Sequence, residues 1–278
     1  MRCLVRLVRL TRLSMVLMFL TLGVAVPHAL AADVALPAPS AHIDGLTPVT
    51  ITVIEPNQTQ ALKPVEATYR GYPVAPLLDQ LLGPAWRTPG ALVSFEAADG
   101  YLSMIPAQRL LQYPAYLVYA NAQGGDFIIE VPPLNERVSL APWYLVWDNI
   151  LHPALRTDDG TNWPYQVKRV GLVDQARLAK LLPPMQPQRY EQGAQLTQKY
   201  CLACHQVNGV GGKKWPLDLG QWATGQSFAS FATWVLDPSG KNPLTSMPAL
   251  ATEHPAAERQ RMARQIYGYL RAMGALGK

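Results

Sequence analysis

Charge is scarce in this chain. Only 15% of its 278 residues are Asp, Glu, Lys or Arg. Arg2, Arg6, Arg9 and Arg12 carry four of the net +5 charges; beyond them, 20 basic side chains stand against 19 acidic ones. The sequence pI of about 9.1 is therefore partly a property of the N-terminus, and no nucleic-acid partner is expected from it. Cysteine is scarcer still, at Cys3, Cys201 and Cys204. The Gly-x-Gly-x-x-Gly, P-loop and Gly-x-Ser-x-Gly patterns are missing, so no motif points to dinucleotide binding, phosphate transfer or a serine nucleophile. There is no internal repeat. Apolar content of 49% argues against disorder.

The apolar run Leu13–Val26, interrupted by Ser14 and Thr21, is shorter than the ~20 residues a bilayer requires. It follows the four arginines and precedes Ala29-Leu30-Ala31, a small-residue cleavage site. Residues 1–31 thus read as a signal peptide cut after Ala31, with a retained anchor as the alternative. Cleavage removes Cys3 and leaves no expected transmembrane span. It places the mature chain in the periplasm, an oxidising compartment.

What remains has the length of two domains. Asp33–Thr47 carries three prolines and no periodicity, and reads, within residues 32–47, as an extended arm. Val49, Ile51 and Val53 alternate with threonines as in a half-buried strand. Pro76–Leu82 reads as a short helix stopped by Gly83. Leu92–Ile105 reads as strand, turn, strand, with Asp99-Gly100 supplying the positive φ angles of a tight turn. Further strand candidates are Val118–Ala120, Phe127–Val131, Tyr144–Trp147 and Tyr165–Val173, and Pro106–Tyr113 is a second short helix. Residues 48–175 are accordingly expected to form an α+β, β-rich domain. Pro183, Pro184 and Pro187 make 176–188 a stiff linker. Trp143, Tyr144, Trp147, Trp163 and Tyr165, with Asp148 and His152, form either a small-molecule pocket or a packed core. Asp158-Asp159-Gly160-Thr161-Asn162 lacks the ligand spacing of a calcium loop and reads as a turn.

The chemistry gathers at Cys201-Leu202-Ala203-Cys204-His205. Two thiols three residues apart with a following histidine make the C-x-x-C-H pattern of covalent haem attachment. On one helical turn Cys201 and Cys204 face the same way, each able to form a thioether, and His205 is placed as the proximal iron ligand. Two other readings use the same residues. A redox dithiol does not need the adjacent histidine. A zinc site would need more ligands than these three and a distant His254.

The flanks have a pattern of their own. Tyr190, Gly193, Leu196 or Thr197, and Tyr200 recur at helical spacing and lead into Cys201. Gly193 predicts a close crossing with a second helix. Pro255 opens a terminal helix with the stripe Met262, Ile266, Tyr269, Leu270 and Met273, and Gly274 as its stop. Phe228, Phe231, Trp234 and Val235 share a face of Ser227–Leu236, ended by Asp237-Pro238. Thr245-Ser246-Met247-Pro248-Ala249-Leu250 follows. This order of helix, C-x-x-C-H, helix, loop and M-P-x-L resembles class I cytochromes c. The resemblance implies an all-α cytochrome c domain over 189–278 and makes Met247 the distal ligand, with His254 as a rival. Gly209–Gly212 would let the chain wrap close to the haem edge, and Lys213 and Lys214 would steer an acidic partner or simply be solvated.

Tyr69-Arg70-Gly71-Tyr72-Pro73-Val74-Ala75-Pro76-Leu77-Leu78 and Val93–Tyr101, with Ile105-Pro106, resemble the molybdopterin-binding domain of sulfite-oxidase-type enzymes. That family holds its metal through a cysteine thiolate, and residues 32–200 contain none. The resemblance implies the fold and leaves the metal chemistry without its ligand. The expectation is a two-domain exported protein with one covalent haem c. It carries single electrons between a dehydrogenase or respiratory partner and an acceptor, with the N-terminal domain as a docking module. The alternative is a haem-containing oxidoreductase whose N-terminal domain binds a molybdenum or organic cofactor or a substrate. A haem-based sensor would need an open iron position, which Met247 opposes.

Overall fold

A computed structural model describes residues 33–39, 42–58, 63–131, 136–157 and 162–276. The expected leader and Asp158–Thr161 lie outside the described residues. In chain order, the first half contains β1 (Val34–Ala35), β2 (Val49–Ile54), β3 (Glu66–Pro73) and α1 (Val74–Leu82), then β4 (Leu92–Ala97), β5 (Leu102–Pro106), α2 (Ala107–Gln112) and β6 (Ala115–Asn121). After these come β7 (Ile128–Val131), β8 (Glu136–Ser139), β9 (Tyr144–Trp147) and β10 (Val167–Leu172). Two four-stranded sheets result, ordered β2-β3-β6-β9 and β1-β10-β4-β5, and β7 pairs with β8. Every one of these pairings is antiparallel. The arm is thus partly sheet, because Val34 and Ala35 find unpaired backbone at the edge of β10.

The aromatic cluster is core. Trp143, Tyr144, Trp147 and Trp163 are each no more than 1% exposed. The indole of Trp143 donates to the Pro37 carbonyl (2.9 Å) and that of Trp147 to the Asn162 carbonyl (2.8 Å), which removes the cost of burying the N–H. Asp148 accepts from the Leu151 backbone (3.0 Å), so it holds a turn. Asn149 both donates to and accepts from Ile54 (2.7 and 2.8 Å), stitching the segment after β9 to β2.

Beneath it lies a buried carboxylate. Glu55, fully buried, accepts from the hydroxyls of Tyr69 (2.9 Å) and Tyr144 (2.9 and 3.1 Å) and from the Asn57 backbone (3.1 Å). Burial raises its pKa, and those hydrogen bonds oppose the rise.

The second half contains α3 (Gln175–Ala179), α4 (Pro187–Tyr200), β11 (Gln206–Val207), β12 (Val210–Gly211), α5 (Leu219–Thr224), α6 (Phe228–Leu236), α7 (Pro238–Lys241) and α8 (Ala256–Ala275). The expectation of an all-α cytochrome c domain here is overturned. The molecule is β-rich with several sheets, and the segment after the cysteine motif is itself a β-hairpin. The cause is local. Asn208 and Gly209 take φ angles of 50° and 74° between Val207 and Val210, the geometry that a two-residue hairpin turn demands. Moreover, Ala31–Lys278 is one compact unit, so the helices are not set apart from the sheets.

Two helix crossings bring the apolar stripe of α8 into this part of the core. Met262, Ile266, Tyr269, Leu270 and Met273 are all buried against Leu202, Val207, Phe231 and Val235. A Cβ on Gly193 of α4 would lie 2.4 Å from the Gln265 carbonyl oxygen and 2.6 Å from the Tyr269 Cβ, so the expected close crossing is with α8. Gly274 is not a helix stop, since α8 continues to Ala275; it lies against the Gly220 backbone of α5 instead. Arg259 turns inward from α8 and donates to the carbonyls of Leu250 (2.7 Å) and Leu236 (2.9 Å).

Candidate functional site

Helix α4 delivers the motif. Its ladder continues past Tyr200, as Cys201 and Leu202 both donate to the Thr197 carbonyl (2.9 and 3.1 Å). Thr197 in turn caps the Gly193 carbonyl through its hydroxyl (2.7 Å). Cys204 and His205 then donate to the Cys201 carbonyl at 3.2 and 3.0 Å. Those two bonds close the five residues into a single turn, which puts both thiols and the imidazole on one short, rigid piece of chain. Neither cysteine is in a disulfide, and both are half-buried.

The glycines after the hairpin press the chain onto this turn. Gly212 donates to the Leu202 carbonyl (2.7 Å), and Trp215 to that of Cys204 (3.0 Å). A Cβ on Gly212 would sit 2.0 Å from the Ala203 carbonyl oxygen, so no side chain fits there. This segment wraps the backbone of the motif.

The electrostatics favour neutral groups. Burial, and then the neighbouring Cys204, push the Cys201 thiol up to about 12. Burial also raises Cys204, with Lys214 pulling the other way and Asp99 adding to the rise. A thiol nucleophile or fast-exchanging dithiol works through its thiolate, and raised values suppress that form. Burial lowers His205, opposed by the Trp215 backbone, and the neutral ring is the form that ligates a metal. No contact to His205 Nδ1 reaches hydrogen-bond geometry; the atom is buried without a partner. Such an orphan costs about 1–3 kcal/mol unless something completes the site. The hydroxyl of Tyr269, whose pKa is raised by burial and then by Cys201, is a second buried polar atom without a partner. Among the described residues, no three His, Cys, Asp or Glu side chains converge as a metal site. A zinc centre needs such a cluster; covalent haem needs only the two thiols and one imidazole.

Met247 packs, partly buried, against the apolar cluster that also receives Cys201 and Leu202. Its loop is tied down on both sides. The Met247 N–H donates to the Thr245 hydroxyl (3.1 Å), and the Leu250 N–H to the Val235 carbonyl (2.7 Å). His254 is otherwise engaged, with Nδ1 at 3.2 Å from Glu258 and Nε2 at 3.6 Å from Glu253. Lys214 is not a free steering charge, because it pairs with Asp99 at 2.9 Å. Lys213 remains exposed.

Residues from the β-rich half reach this turn, which sequence spacing gave no hint of. Leu102 of β5 donates to the Ala203 carbonyl (2.8 Å), and Lys213 donates to the Gly100 carbonyl (2.7 Å). Tyr165 is close enough to Cys204, Asp99 and Lys214 for their charges to act on its hydroxyl. The only available signal was Asp99-Gly100, which reads as a turn and not as a partner of residues far down the chain. Among the described residues no helix is long and apolar enough to cross a membrane. Set against protein-family models, curated proteins and solved structures, the chain matches none.

Proposed function

We propose that this chain is an exported, periplasmic carrier of single electrons with one covalent haem c, which Cys201 and Cys204 would hold by thioethers and whose iron His205 and Met247 would bind. One observation carries the reading: two thiols and an imidazole share one hydrogen-bonded turn, and the imidazole Nδ1 is buried without a partner. When bound, haem c supplies a one-electron iron couple, whose potential a methionine ligand raises.

The chain's own residues do the rest. Thr197 and Cys201 fix the turn through their carbonyls, so the thiols and the imidazole are presented together and not sampled separately. Leu202, Val207 and Tyr269 exclude water from one side of the turn. The tied loop of Met247 limits the freedom of its sulfur. With both His205 and Met247 holding the iron, no position would be left open for a substrate, and a redox protein is the expected partner. The Arg-rich leader supports export. The β-rich half supplies a docking module and, as the motif contacts above indicate, part of the wall of the site.

The test is maturation. Expressed with a c-type haem attachment system, the full chain should carry one covalent haem that survives denaturation and acid extraction. Cys204→Ala should not yield that product. Unmodified protein from a competent host, or normal covalent loading of Cys204→Ala, refutes the reading.

A further inference from the structure

The turn between β4 and β5 belongs to the β-rich half of the chain, yet it is fastened at one point to the cysteine motif and at two more to Lys213 and Lys214 just after it. Leu102 donates to the Ala203 carbonyl (2.8 Å) and Lys213 to the Gly100 carbonyl (2.7 Å). Between them, the Asp99 carboxylate meets the Lys214 ammonium at 2.9 Å. Asp99 is also held from its own side, where its Oδ1 accepts from the Tyr101 N–H (3.0 Å). The fit is close, since a Cβ on Gly100 would lie 3.0 Å from the backbone of both Lys213 and Lys214. The ion pair is only about a quarter to a third exposed, so water and salt screen it less than an open surface pair.

We infer that this turn is a strap completing the haem site, and that Asp99 is a positioning residue: by neutralising Lys214 beside Cys204 it sets the reduction potential of the bound haem. The inference rests on the electron-carrier reading and extends it. Ferric haem carries one more positive charge than ferrous haem. An uncompensated cation near it disfavours oxidation and raises the potential, and an uncompensated anion lowers it. The intact pair presents a dipole whose two ends largely cancel. The β-rich half would then tune the couple as well as dock the protein.

A charge cycle tests this in the full-length, haem-loaded protein. Redox titration should find the potential raised in Asp99→Asn and lowered in Lys214→Met. The double variant should return close to wild type, and Asp99→Glu, which keeps the charge, should stay near it. Singles that shift in one common direction, or haem-loaded variants that all share the wild-type potential, overturn the inference and leave the carrier reading intact. If Asp99→Asn fails to load, Asp99→Glu decides: loading with a wild-type potential supports a role for the charge, and failure of both assigns the turn a purely structural role and overturns the coupling. Wild-type protein without covalent haem removes the carrier reading, and this inference with it.

Discussion

The crossing of α4 with α8 sets the position of the cysteine motif, and a matched pair of substitutions tests it. In Gly193→Ala the new methyl would start 2.4 Å from the Gln265 carbonyl oxygen and 2.6 Å from the Tyr269 Cβ. Favourable carbon contacts begin near about 3.5 Å, so the helices must part by roughly 1 Å. Overpacking of this kind costs about 1–3 kcal/mol, while replacing a helical Gly by Ala returns about 1 kcal/mol. Gly268→Ala, in α8, receives the same propensity gain, and a Cβ there meets nothing within 4 Å. Propensity therefore cancels between the two variants, and the difference reports the crossing alone, at about 1–3 kcal/mol. Urea denaturation followed by far-UV circular dichroism measures it. At a slope of about 3 kcal/mol/M the midpoints should separate by roughly 0.3–1 M, with Gly268→Ala the higher. A Gly193→Ala midpoint equal to or above that of Gly268→Ala would refute the close crossing.

Other outcomes follow from the same contacts. Met247→Ala should abolish the weak red-edge absorption of a methionine-ligated ferric haem and lower the potential, whereas His254→Ala should leave both unchanged; a Met247→Ala spectrum identical to wild type, with a potential shifted only in His254→Ala, would give that position to His254. Because burial raises the Glu55 pKa, the folded state binds a proton that the unfolded state has released. That contribution favours folding below the ordinary glutamate range and is lost as pH rises through the raised value. Subtracting the stability–pH curve of Glu55→Gln from that of wild type should therefore leave a difference that falls with rising pH, and a difference that climbs would count against it. Gly212→Ala, whose methyl has no room against the Ala203 carbonyl, should reduce the yield of covalent haem, measured from the absorption of the denatured protein, below that of Gly268→Ala.

Much of the local structure was legible because it is written in short-range chemistry. Gly100, at φ 86°, turns the chain between β4 and β5, though Asp99 does not share the expected positive φ; Gly193 marks a helix crossing, and the stripe Met262 to Met273 is the buried face of α8. Asn208-Gly209 carries an equally local signal, for the turn between β11 and β12. The all-α expectation for the second half failed on that hairpin and on the union of helices and sheets in one unit.

By itself the sequence determined that two thiols and an imidazole would share one turn, since C-x-x-C-H places them within reach wherever a helix ends. It also determined which faces of α4, α6 and α8 would be apolar. Only the tertiary structure decided what surrounds that turn. Leu102 reaches it through a backbone hydrogen bond to Ala203, and Asp99 pairs with Lys214 just beyond it, contacts with no sequence periodicity to betray them. Periodicity reports which side of an element is buried; it does not report against what. The partner surface is chosen when sheets and helices condense, and here that choice laid a β-turn across the cysteine motif.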